Sequence, residues 1–152
     1  SIPVVGGGQA SCLLAPLVGR QAVLLLADTT RYAEKQLFVA QCGVDPARIA
    51  AIGGIEARGV DLWAERERVL DLLTEAGKNL LAAGRVQVLL LGCLSFLGLA
   101  HPLSERLGVP VVDPAVAPVA LAECLVRQGL KTSRKAYPAP PLRKRTWQSG
   151  QL

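Results

Sequence analysis

Methionine is absent from the chain, histidine occurs once, and the four cysteines form neither a CxxC pair nor a spacing suited to a metal ion. Without methionine, Ser1 either follows an initiator that was processed off or marks a boundary to which none belonged. Cysteines this few and this scattered do not make a secreted disulfide framework, and no signal-peptide pattern opens the chain. Reduced thiols and a cytoplasmic location are therefore expected. Every long apolar stretch is broken by Gly, Pro or charge well short of the roughly 20 residues a membrane span needs, so no membrane partner is expected. The net charge of +5 is modest. Its basic residues gather late, as Lys131, Arg134 and Lys135 and then Arg143, Lys144 and Arg145, with no nucleic-acid recognition motif beside them. They read as a solvated tail, and no nucleic-acid partner is expected.

What is present is apolar and regularly punctuated. With 51% hydrophobic residues, 152 residues can bury one respectable core. Strands are expected at Ile2–Val5, Ala22–Ala27, Ile49–Ile52, Val86–Leu91 and Val109–Val112. Helices are expected at Gln9–Val18, weakened by Pro16, and at Thr30–Cys42, Ala64–Ala83, Leu99–Leu107 and Ala115–Gln128. In the longest of these, Val69, Leu73, Ala76, Leu80 and Leu81 form an inward stripe, with Glu65, Arg66, Asp71 and Lys78 outside. The alternation implies an α/β fold, a mostly parallel sheet flanked by helices. Beyond Tyr137, proline density argues for an extended tail.

Cys93 is the first candidate for chemistry. It ends the run Val86-Gln87-Val88-Leu89-Leu90-Leu91-Gly92-Cys93, which reads as a buried parallel strand, so its thiol should emerge at the carboxyl end, where open α/β sheets hold ligands. A helix beginning close by offers N–H donors and a positive dipole end, which favour a thiolate or a bound carboxylate or enolate. Inert packing is the plainer alternative. Cys12 and Cys124, within helices among Leu and Ala, read as small buried hydrophobes, and Cys42 sits at a helix end before Gly43. His101, beside Pro102, reads as a capping or surface residue, Trp63 as a helix-start anchor and Trp147 as a tail residue.

Two further segments compete for a functional role. Val4-Val5-Gly6-Gly7-Gly8-Gln9-Ala10-Ser11, with Asp28 about 20 residues later, approximates a dinucleotide fingerprint. Its third glycine position is Ser11, and Pro16 interrupts the helix that should pack on the strand. At Asp28-Thr29-Thr30-Arg31-Tyr32 a strand ends and a helix begins. The hydroxyls and amides there could grip an anionic or imide-like group, or Asp28 or Thr29 could simply cap the helix.

The stretch Leu91-Gly92-Cys93-Leu94-Ser95-Phe96-Leu97-Gly98-Leu99-Ala100, followed by Leu103-Ser104-Glu105-Arg106-Leu107-Gly108-Val109-Pro110-Val111-Val112-Asp113, resembles the Asp/Glu/hydantoin racemase superfamily. The later residues Leu121-Ala122-Glu123, Leu125-Val126-Arg127 and Gly129-Leu130-Lys131-Thr132-Ser133 point to its hydantoin/allantoin racemase branch. The resemblance runs from Ile2 to about Pro141 and corresponds to the later part of a family chain. It implies one lobe of a pseudo-symmetric two-lobe racemase fold, with residues 1–108 as the lobe carrying the Cys93 motif. Residues 109–136 would then be a strand and helix returning to an absent first lobe, and 137–152 a Pro-rich basic tail.

In function, the resemblance implies an isomerase that needs no pyridoxal phosphate, metal or other cofactor. A thiol on each side of the substrate moves a proton at the α-carbon of an amino acid or its cyclic ureide derivative, a hydantoin or allantoin. Cys93 is the thiol this chain supplies. The first-lobe cysteine of relatives lies upstream of the segment matching Ile2–Gly6 and has no counterpart here, so an incomplete enzyme is expected. Thr29, Thr30, Leu94, Ser95 and Gln9 are the implied substrate-binding residues. Apolar surface left by a missing lobe would favour self-association into a homo-oligomer. Two alternatives stand beside this reading: a one-cysteine decarboxylase of the arylmalonate type, and a non-catalytic nucleotide-binding module.

Overall fold

The structure, a computed structural model, describes residues 2–138 apart from residues 29, 31, 44, 58, 83 and 85. Most of the expected Pro-rich tail, with Arg143, Lys144, Arg145 and Trp147, lies outside the described residues. In chain order the elements are α1 (Gly7–Val18), β1 (Ala22–Leu26), α2 (Tyr32–Gln41), β2 (Ile49–Gly54), α3 (Arg66–Leu81), β3 (Val88–Leu91), α4 (Ala100–Leu107), β4 (Val111–Val112) and α5 (Val116–Arg127). The four strands form one parallel sheet in the order β2-β1-β3-β4.

Every residue of β1 and β3 is buried, because helices cover both faces of a parallel sheet. Their side chains alternate between two cores. Val23 and Leu25 of β1 join Leu89 and Leu91 of β3 on one face, against Val69, Leu70 and Leu73 of α3 and Leu103 of α4. Ala22, Leu24, Leu26, Val88 and Leu90 occupy the other, against Cys12 and Ala15 of α1 and Val39 of α2. The register Val23 to Leu89 and Leu24 to Leu90 keeps like faces together. On α3 the buried stripe is Val69, Leu70, Leu73, Thr74 and Gly77, while Ala76, Leu80 and Leu81 are half-buried. The shift from the expected stripe follows from α4: a Cβ at Gly77 would come within 2.5 Å of Leu107 Cδ1, so the glycine lets the two helices meet.

Ile2–Val5, expected as a strand, pairs with none. It runs beside the segment after α5, where the Val4 amide donates to Thr132 Oγ1 (3.2 Å) and the Thr132 hydroxyl donates to the Ile2 carbonyl (3.1 Å). Hydrogen bonds to one side chain replace a ladder, and Ile2 and Val4 stay 77% and 78% exposed. Its sequence echo, Val109-Pro110-Val111-Val112, does pair: β4 extends the same sheet beside β3, and α5 then packs on α1. Among the described residues no helix is long and apolar enough to cross a membrane.

Candidate functional site

Strand order places the crevice. From β1 the chain passes to β2 on one side, and from β3 to β4 on the other, so the carboxyl ends of β1 and β3 flank the point where winding direction reverses. Open α/β sheets hold ligands at such points. A cavity of about 210 Å³ lies here, lined by Gly7, Gly8 and Ser11 of α1, Lys35 of α2, and Gly92 and Leu94 beyond β3. Pro114 closes another side.

Cys93 is not among the residues that line this cavity; it lies between Gly92 and Leu94 in the chain, two positions beyond the end of β3. It is half-buried and in extended conformation, at the N-cap of a single 3-10 turn, Leu94–Phe96. Its side chain packs against the edge of the core formed with α3 and α4. Gly92 keeps the approach tight: its amide donates to the Leu25 carbonyl (2.7 Å), and a Cβ would lie 2.8 Å from that same oxygen. Phe96, fully buried, pins the other end of the turn into the core. The amides of Phe96, Leu97 and Leu99 are taken by the carbonyls of Cys93, Leu94 and Phe96. Those of Leu94 and Ser95, at the start of the turn, have no acceptor within it and are the natural donors to an anion.

The remaining expected site residues are placed unevenly. Leu94 is exposed at the cavity, and Ser95, half-buried, follows it. Thr30 is turned toward Asp28, whose Oδ1 accepts from both its amide (2.8 Å) and its hydroxyl (2.7 Å), which is the capping arrangement the sequence left open. Thr29 and Arg31 lie outside the described residues. Gln9 opens onto a different groove, of about 670 Å³, shared with Ile2, Val4, Leu13, Leu125 and Tyr137. Cys124, expected to be buried, is exposed on that same groove, because α5 turns only Ala117 fully inward. His101 is on the surface beside Glu105.

Cys12 and Cys42 are buried in the core. Burial, with the neighbouring Cys42 thiol adding to it, pushes the Cys12 thiol up to about 12, although Lys35 pulls the other way. Cys42 is likewise raised by burial. Neither is suited to proton transfer near neutrality. The glycines of the fingerprint have a packing explanation. A Cβ at Gly7 would come within 2.6 Å of the Pro114 carbonyl, and one at Gly8 within 2.8 Å of the Phe38 ring. With no strand formed by Val4 and Val5, the segment lacks the strand-to-helix turn that a dinucleotide site requires.

Three residues escaped the sequence reading. Lys35 brings a cation to the cavity, Arg66 bonds to the Cys93 turn from α3, and Asp113 bonds to it from beyond β4. Asp113 could have been found, since Asp followed by Pro114 at a helix start is a capping signal. Nothing local marks Lys35 or Arg66, because only the tertiary fold brings them to the turn. Among the described residues no group of three or more His, Cys, Asp and Glu side chains could hold a metal ion.

Known proteins resemble the chain in sequence and fold. The family model for Asp/Glu/hydantoin racemase matches residues 1–122. A hydantoin racemase of Paenarthrobacter aurescens is 33% identical over 142 residues, covering 91% of this chain and 58% of the relative. Among solved structures, an allantoin racemase of Pseudomonas fluorescens superposes with a TM-score of 0.73 at 28% identity, over 95% of this chain and 62% of that one. An allantoin racemase of Klebsiella pneumoniae shares the fold at a TM-score of 0.82 and 24% identity, over 96% of this chain and 60% of that one. The chain thus spans about three fifths of the length of each of these proteins. It belongs to the Asp/Glu/hydantoin racemase family.

Proposed function

We propose that the chain supplies one α/β lobe and one acid/base thiol, Cys93, to a racemase acting without cofactor on an amino acid or its cyclic ureide, a hydantoin or allantoin. Family membership and the names of its relatives support the reaction class. One observation carries the residue assignment: Cys93 stands half-buried just past the carboxyl end of β3, at the head of a short turn and at the sheet edge where the winding direction reverses.

The chemistry follows from the acidity of the substrate. A carbon next to a carbonyl is a weak acid, so removing its proton needs both a base within hydrogen-bond reach and stabilisation of the enolate. The Cys93 thiolate takes the proton from one face. The Leu94 amide and the Ser95 amide and hydroxyl hold the enolate oxygen, and Thr29, Thr30 and Gln9 are the further substrate contacts on this reading. Inversion requires a second thiol on the opposite face, which on this reading belongs to the other lobe. On this reading residues 1–108 are the lobe that carries Cys93 and 109–136 the segment returning to the other lobe, although here β4 pairs with β3 and α5 packs on α1; 137–152 are the tail. Reduced thiols fit a cytoplasmic setting.

The test is proton–deuterium exchange at C5 of a chiral hydantoin, with Cys93→Ala as control. With one thiol at the site, deuterium should enter largely with retention and little racemisation, and the variant should lose at least ~100-fold in rate, as expected for removal of a general base. Exchange unaffected by Cys93→Ala overturns the assignment. Loss of carbon dioxide from an arylmalonate, with no hydantoin exchange, replaces it with the one-thiol decarboxylase.

A further inference from the structure

The Cys93 turn is held by two charged side chains that hydrogen-bond to its backbone, one from α3 and one from beyond β4. Arg66, the first residue of α3, donates from Nη1 to the Ser95 carbonyl (3.1 Å) and from Nη2 to the Leu97 carbonyl. Its guanidinium also lies over the Trp63 ring, 5.4 Å from the centroid, which restricts its orientation. Asp113, just past β4, accepts the Gly98 amide at Oδ2 (2.8 Å) and the Ala115 amide at Oδ1 (2.8 Å). One carboxylate thus ties the end of the turn to the start of α5. Gly98 is the reversal point, with φ +79°.

A single 3-10 turn has little stability of its own, while proton transfer tolerates displacements of only about 0.5 Å. Hydrogen bonds from ionised groups are stronger and shorter than neutral ones. We propose that Arg66 and Asp113 are positioning residues for Cys93, a clamp that sets the reactive thiol and the amides beside it in register with the substrate. This rests on the racemase reading and names how its base is held.

The test uses the full chain with Arg66→Ala, Arg66→Lys, Asp113→Ala and Asp113→Asn. Three measurements are compared: amide hydrogen exchange by peptide, the rate at which iodoacetamide labels Cys93 as mapped by mass spectrometry, and kcat and KM for hydantoin C5 exchange. The alanine variants should speed amide exchange across residues 94–99 at least ~10-fold while β1 and β3 stay protected. They should also change Cys93 labelling at least ~5-fold and lower kcat more than KM rises. Arg66→Lys should recover part of each effect, because an ammonium still reaches a carbonyl. Asp113→Asn keeps an acceptor oxygen and should recover likewise. If Cys93 labelling is unchanged in both alanine variants, the proposal is overturned. So it is if amide exchange rises uniformly in the conservative variants, since Arg66 and Asp113 would then only support the fold. A clamp effect on labelling and amide exchange in a chain with no hydantoin exchange would uphold the positioning role and reject the racemase reading.

Discussion

The four thiols share a chemistry and differ in surroundings, and those surroundings decide what each can do. Cys12 and Cys42 sit together in the core between the sheet and α1 and α2, whereas Cys93 stands half-buried at a strand end. With the Cys12 thiol pushed up to about 12, almost none is thiolate at pH 8. In the native chain, iodoacetamide at that pH should therefore label Cys93 and Cys124 at least ~10-fold faster than Cys12 and Cys42, because the thiolate is the nucleophile. Equal rates measured by peptide mapping would contradict the burial assignment. The sign of the linked stability is definite. A thiol whose folded value is raised is held neutral by the fold, so its contribution is intact below the ordinary thiol range near 9 and is lost as pH rises toward 12. At this scale the place of Cys93 at the end of a buried strand could be read from sequence. The burial of Cys12 against Cys42 could not, since the two come from different helices that only packing brings together.

Elements were legible wherever periodicity and punctuation agreed. The continuous apolar runs of β1 and β3 and the spacing of Val69 and Leu73 in α3 survive in the fold because both faces of the sheet are covered. The start of α3 shows what periodicity does not reveal. Asp61 accepts the amides of Ala64 (3.0 Å) and Trp63 (2.9 Å), and its own amide donates to Glu65 Oε1 (3.0 Å). The Ala64 and Trp63 amides lower the Asp61 carboxyl below its ordinary range, and the Arg68 guanidinium, with the Asp61 amide, lowers Glu65. Carboxyls held low in the fold stabilise it above their unfolded values near 4 and lose that contribution as pH falls through the folded ones. Between pH 5 and pH 3, amide exchange at residues 63–69 should therefore rise, after correction for intrinsic rates, before that of β1 or β3. Uniform loss of protection would show that this turn is not a separate weak point. Its consequence reaches the site, because Arg66 leaves α3 at this end to hold the Cys93 turn.

For the whole molecule, the sheet is the structure on which the site depends. Leu25 packs on the α3 and α4 side and Leu90 on the α1 and α2 side, both fully buried. Each Leu→Ala change should lower stability by about 2–5 kcal/mol, and urea unfolding should remain one cooperative transition, since the two cores share every central strand. Loss from only one of the two substitutions would mean that one helical layer contributes little. The sequence alone determined the class of fold and the position of Cys93 along the chain, because alternation, helical spacing and glycine or proline breaks are local and survive in any packing consistent with them. Only the tertiary structure decided the rest. Strand order put the crevice between β1 and β3, kept Ile2–Val5 out of the sheet, turned Gln9 to another groove, and brought Arg66 and Asp113 to one turn. Those outcomes depend on which distant surfaces meet, and no residue carries that information in its neighbours.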